Sequence, residues 1–182
     1  MSLTESVLTY LEENEERFAK LADKIWEHPE LGLEESYASD LLASELAAAG
    51  FEVEREVADI PTAFVASWGK GEPTIGLLGE YDALPGLSQR VSPRRDPIEE
   101  GAPGHGCGHN LLGVGSLASA MAVKEVLEAE GLEGTVRYYG CPAEETMIGK
   151  IFMARDGIFD DLDAAITWHP FYANTVWWCS FL

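Results

Sequence analysis

The chain has 182 residues, enough for one domain with a sizeable core, and a hydrophobic fraction of 46% supports a globular rather than disordered reading. Asp and Glu total 32 against 12 Lys and Arg, a formal net charge of −20. That balance argues against nucleic acid and against an anionic membrane surface as partners, since both call for a basic patch.

The same surplus of like charge predicts a fold whose self-repulsion is relieved by salt, as in chains from halophilic sources. The opening Met-Ser-Leu-Thr-Glu-Ser has neither a positive region nor an apolar core, so no signal peptide is expected. No apolar run is expected to reach membrane-spanning length. Cys107, Cys141 and Cys179 are odd in number and widely spaced. That fits a reducing compartment, with the cytoplasm as default, better than a disulfide framework.

In chain order, apolar residues at three- and four-residue spacing predict one amphipathic helix over 4–27, ended by Pro29 and Gly32. A second helix is predicted over 36–49, stopped by Gly50, and short strands over 51–54, 63–68 and 74–78. Residues 82–108 form a long Pro-, Gly- and charge-rich loop, uncommon in a compact domain unless it serves a site. A helix over 111–130, a strand over 135–139, a helix over 148–155 and a strand over 164–167 follow. Residues 175–182 read as an extended aromatic segment, with Trp177 and Trp178 on a buried strand. The alternation predicts an α/β fold: a mostly parallel twisted sheet with helices on both faces.

In such sheets ligands bind beyond the carboxyl ends of the strands. Glu80-Tyr81-Asp82 follows one strand, Glu144-Glu145 the next and His169 the last, so three polar clusters can converge on one crevice. The loop over that crevice supplies His-Gly-Cys-Gly-His-Asn at 105–110. Cys107 and His109, two residues apart among glycines, suit a borderline divalent cation such as Zn²⁺. The rival reading, a phosphate-cradling loop, lacks both a Walker lysine and a preceding strand.

Adjacent glutamates are commonly a solvated acidic patch. At a strand end, Glu144 and Glu145 can instead divide the work, one binding metal and one accepting a proton. His169, taken alone, reads as a buried histidine satisfied by backbone. Asp82 reads either as a carboxylate orienting a metal-bound histidine or as a turn residue before Pro85-Gly86. His28 and His105 read as structural.

Together, five pieces resemble the aminoacylase/carboxypeptidase-type metal amidohydrolases, in the branch that includes auxin-conjugate and p-aminobenzoyl-glutamate hydrolases. They are His-Pro-Glu-Leu-Gly at 28–32, Tyr-Asp-Ala-Leu-Pro-Gly at 81–86, Gly-His-Gly-Cys-Gly-His-Asn at 104–110, Pro-Ala-Glu-Glu at 142–145 and His169. The resemblance implies two divalent ions, Zn²⁺ or Mn²⁺, on Cys107, His109, Glu145 and His169, with Glu144 as general base and Asp82 as supporting carboxylate. Asn110, where many relatives carry Asp, leans towards the p-aminobenzoyl-glutamate branch.

The implied substrates are N-acyl or aminobenzoyl amino acids, or peptide-like molecules, and the implied full-length assembly is a homodimer. Members of the family are around twice as long. The chain is therefore expected to be the N-terminal part of a catalytic domain, without the lid and dimerisation domain or the C-terminal segment, and inactive alone. The rival expectations are an aminopeptidase or dipeptidase of the same fold and a non-catalytic binding remnant.

Overall fold

The structure is a computed structural model and describes residues 2–173. Cys179, Trp177, Trp178 and the expected extended segment 175–182 lie outside the described residues.

Three helices open the fold: α1 (Leu3–Glu13), α2 (Glu15–Glu27) and α3 (Ser36–Ala48). The single helix expected over 4–27 is therefore two. Asn14 takes a non-helical φ of −109° and donates its side-chain N–H to the Tyr10 carbonyl at 2.9 Å. A short polar side chain that competes for backbone partners interrupts a helix in this way.

Strands β1 (Glu52–Arg55), β2 (Phe64–Lys70) and β3 (Thr74–Gly79) precede the long loop. Helix α4 (His109–Glu130), strand β4 (Gly134–Gly140), helix α5 (Gly149–Arg155) and strand β5 (Ala164–Ile166) complete the described chain. The sheet order is β1-β2-β4-β3-β5. β3 runs parallel to both β4 and β5, whereas β2 is antiparallel to both its neighbours, so four of the five strands share one direction. The sheet is mixed and mostly parallel. β2 breaks the pattern because the connection from β1 is too short for a parallel crossover, which needs a dozen or more residues.

Successive residues on a strand face opposite sides, and the two cores follow that alternation. Phe64, Ala66, Val136 and Tyr138 pack with Phe18, Leu21 and Ile25 of α2, Leu42 and Leu46 of α3, and Leu117 and Met121 of α4. Val65, Tyr139 and Cys141 turn to the other face, where Met153 of α5 closes a smaller core.

Helix α4 is, by length and composition, apolar enough to cross a membrane, contrary to the expectation that no segment would be. Yet 67% of its apolar window is buried. It packs against α1, α2, α3 and the sheet, which makes it the central core helix.

Candidate metal centre

Because β4, β3 and β5 are adjacent and parallel, their carboxyl ends open on one edge of the sheet. Glu80 and Asp82 leave β3 there, Glu144 and Glu145 follow β4, and His169 follows β5. The loop from β3 to α4 folds back over that edge, held by paired backbone bonds between Leu84 and Gly104. It ends at Gly108, whose φ of +84° favours glycine, and the next residue, His109, begins α4.

His109 is fully buried at the centre of the cluster. Its Nδ1 lies 2.9 Å from Asp82 Oδ1, while Asp82 Oδ2 accepts the Glu145 backbone N–H at 2.9 Å. One carboxylate thus fixes both the ring and the loop that carries the glutamates. With Nδ1 as the donor, Nε2 carries the free lone pair. Glu80 Oε2 stands 3.2 Å from Nε2 and Glu144 Oε2 3.7 Å, yet Nε2 is buried with no aligned hydrogen-bond partner.

Glu145 Oε1, 4.0 Å from Nδ1, is likewise buried and unpartnered. Across the site, Cys107 Sγ lies 3.2 Å from His169 Nε2, whose ring is held through Nδ1 on the Pro170 carbonyl at 2.9 Å. Cys107, His109 and His169 offer ligand atoms all within 4.8 Å of one another, and so do Glu80, His109 and Glu144.

The electrostatics favour a cation. Burial, then the carboxylates of Glu145, Glu144 and Glu80, push the Cys107 thiol up to about 11. A thiol so placed is a poor nucleophile by itself, but a divalent ion inverts that balance and makes it a thiolate ligand. Burial works to lower the pKa of His109, but Asp82, Glu80 and Glu145 outweigh it and leave it raised. Burial, then Glu80, raises Glu144, against the lowering influence of Lys150 and His109. Two orphaned buried ligand atoms beside a soft sulfur and converging carboxylates fit a divalent ion well.

The four residues expected to ligate, with Glu144 and Asp82, are therefore brought to one site. His28 and His105 stand apart as structural groups. His28 stacks on Tyr37 with ring centroids 4.2 Å apart, and His105 contacts the Ile25 carbonyl through Nε2 at 3.2 Å.

Three supporting residues had no assigned role in the sequence reading. Glu35, fully buried, accepts the Ala143 backbone N–H at 2.7 Å and the Thr62 hydroxyl at 3.0 Å, clamping the segment that carries the two glutamates. Lys150 pairs with Glu80 at 2.5 Å. Glu80 itself was visible only as part of a polar cluster at a strand end.

Over residues 76–177, more than half of the chain, the sequence matches peptidase family M20/M25/M40. The chain belongs to that family.

It is 55% identical over 161 residues to a p-aminobenzoyl-glutamate hydrolase of Escherichia coli (strain K12), covering 88% of this chain and 34% of that protein. To the Xaa-Arg dipeptidase of Homo sapiens it is 34% identical over 186 residues, covering 92% and 38%. The chain thus spans about a third of the length of these relatives, less than the half that the sequence pattern implied. The fold superposes on the Bacillus subtilis YXEP protein, described as a dinuclear metal binding peptidase from the M20 family. The TM-score is 0.70 at 26% identity, over 82% of this chain and 41% of that one.

Proposed function

We propose that this domain is the N-terminal part of the catalytic domain of a metal-dependent amidohydrolase that cleaves the amide bond of an N-acyl or aminobenzoyl amino acid. The observation that carries this reading is the buried, unpartnered Nε2 of His109 facing Cys107 and His169 on one side and Glu80 and Glu144 on the other. The p-aminobenzoyl-glutamate hydrolase relative supports the choice of substrate.

Cys107, His109, Glu145 and His169 would hold two divalent ions, Zn²⁺ or Mn²⁺; such ions lower the pKa of water towards about 7 and polarise an amide carbonyl. The chain's own residues do the rest. Glu144, raised but part-exposed at the mouth of the cluster, takes a proton from the attacking water at Oε2 and returns it to the departing amine nitrogen. Asp82 keeps the His109 ring in one tautomer and aims Nε2 into the site. The hydrolysed bond yields a carboxylic acid and a free amino acid.

The proposed setting is the cytoplasm, supported by the free thiols Cys107 and Cys141. The proposed assembly of the full-length protein is a homodimer. A dipeptidase reading is favoured by the Xaa-Arg dipeptidase relative. It separates from the first by preference: a dipeptidase favours a free amino terminus, the proposed enzyme an N-acylated one. The test is metal analysis of the folded domain, followed by hydrolysis of p-aminobenzoyl-glutamate and N-acyl amino acids by the protein that carries it. Activity lost on chelation and in Glu144→Gln supports the proposal; an active Glu144→Gln variant contradicts the role of Glu144.

A further inference from the structure

Lys150 is the second residue of α5, and the preceding glycine brings it against the glutamate loop. A Cβ at Gly149 would collide with the Pro142 carbonyl oxygen, so only glycine permits this approach. The Lys150 ammonium then reaches into the sheet edge and pairs with Glu80 Oε1 at 2.5 Å, with the Glu80 side chain only 9% exposed. Among the described residues it is the one Lys or Arg ion-paired with the four carboxylates of the cluster.

The other oxygen of Glu80 faces His109 Nε2, and Glu80 belongs to a group of three side chains able to hold an ion by themselves. Nothing steric keeps that carboxylate off a cation, whereas a catalytic site needs one coordination position left open. A cavity of about 180 Å³ adjoins this point, lined by Glu144, Met147, Ile148 and Lys150 among others, and gives water and substrate a way in. An ammonium in contact with a mostly buried carboxylate competes with a dication for it and weakens its donor strength.

We propose that Lys150 is a positioning residue that withholds Glu80 from the cation, so that the position in front of Glu144 stays open. The inference rests on the metal-site reading above, and the experiment separates the two.

Calorimetric titration of the folded protein with Co²⁺ is compared across Lys150→Met, Lys150→Arg, Glu80→Gln and the double variant Glu80→Gln/Lys150→Met. Lys150→Met releases Glu80 to the ion, tightens Co²⁺ binding about tenfold, and weakens the visible Co²⁺ absorption as a ligand is added. Lys150→Arg keeps the affinity of the parent. In the double variant the gain disappears, which a merely structural lysine would not produce. Lys150→Met binding no tighter than the parent, or a gain that persists without Glu80, overturns the proposal. A parent protein that takes up no Co²⁺ removes the metal-site reading, and this inference with it.

Discussion

Asp82 holds His109 from behind: its Oδ1 lies 2.9 Å from the ring Nδ1, and its Oδ2 is bound to the Glu145 backbone 2.9 Å away. A loop from β3, the first residue of α4 and the loop after β4 are thereby locked together through one buried carboxylate. Asp82→Ala should lower metal affinity by roughly 10–100-fold, the usual cost of losing a group that orients a ligand histidine. Calorimetric titration with Zn²⁺ reads this directly; affinity equal to that of the parent would show that Asp82 does not orient the site.

Metal binding should release protons. The Cys107 thiol is pushed up to about 11 and His109 is also raised, so below these values both carry a proton that an ion must displace. Affinity therefore falls with falling pH, by about tenfold per unit where only the thiol is protonated, and more steeply once His109 is protonated too. Titration in two buffers of different ionisation enthalpy measures the release, expected at about one proton near pH 8 and rising towards two in acid. Affinity that does not change between pH 6 and pH 8 would contradict ligation by this pair.

Glu35 gives a stability signature apart from the metal. Burial raises its pKa, against the hydrogen bonds from Ala143 and Thr62 that lower it. A carboxyl whose folded pKa is raised contributes stability that is present below the unfolded value of 4.5 and lost as pH rises through the folded value. The Tm difference between the parent and Glu35→Gln should therefore move in the parent's favour as pH falls from 7 towards 4.5. A difference that is constant with pH would contradict a raised Glu35.

Much of this was legible in the sequence, for identifiable reasons. Strands β3, β4 and β5 are bounded by Gly and Pro and carry apolar runs, so their polar C-terminal neighbours Asp82, Glu144, Glu145 and His169 could be placed at one edge from the pattern alone. Cys107 and His109 stood out because glycines isolate them. The supporting residues did not stand out. Glu35 acts on Ala143 from 108 residues away, and in a chain with 32 acidic residues nothing local distinguishes it or Glu80. Lys150 looked like an ordinary helix residue until α5 was seen to abut Pro142. The helix break at Asn14 and the reversed β2 were lost for another reason: periodicity reports burial and not direction or continuity.

The charge imbalance carries its own prediction. With a formal charge of −20, the folded state suffers self-repulsion that salt screens over roughly 8–10 Å near physiological strength. Tm should rise from dilute buffer to molar KCl. Equal melting in both would show that the acidic surface is not limiting stability.

The central claim is that Cys107, His109 and His169 share a cation, and Co²⁺ tests it most directly. One folded chain should take up Co²⁺ and develop a near-ultraviolet sulfur-to-cobalt charge-transfer band, which Cys107→Ser abolishes while Cys141→Ser leaves it intact. A band that survives Cys107→Ser, or no band in a chain that has bound Co²⁺, would place the ion elsewhere and contradict the account.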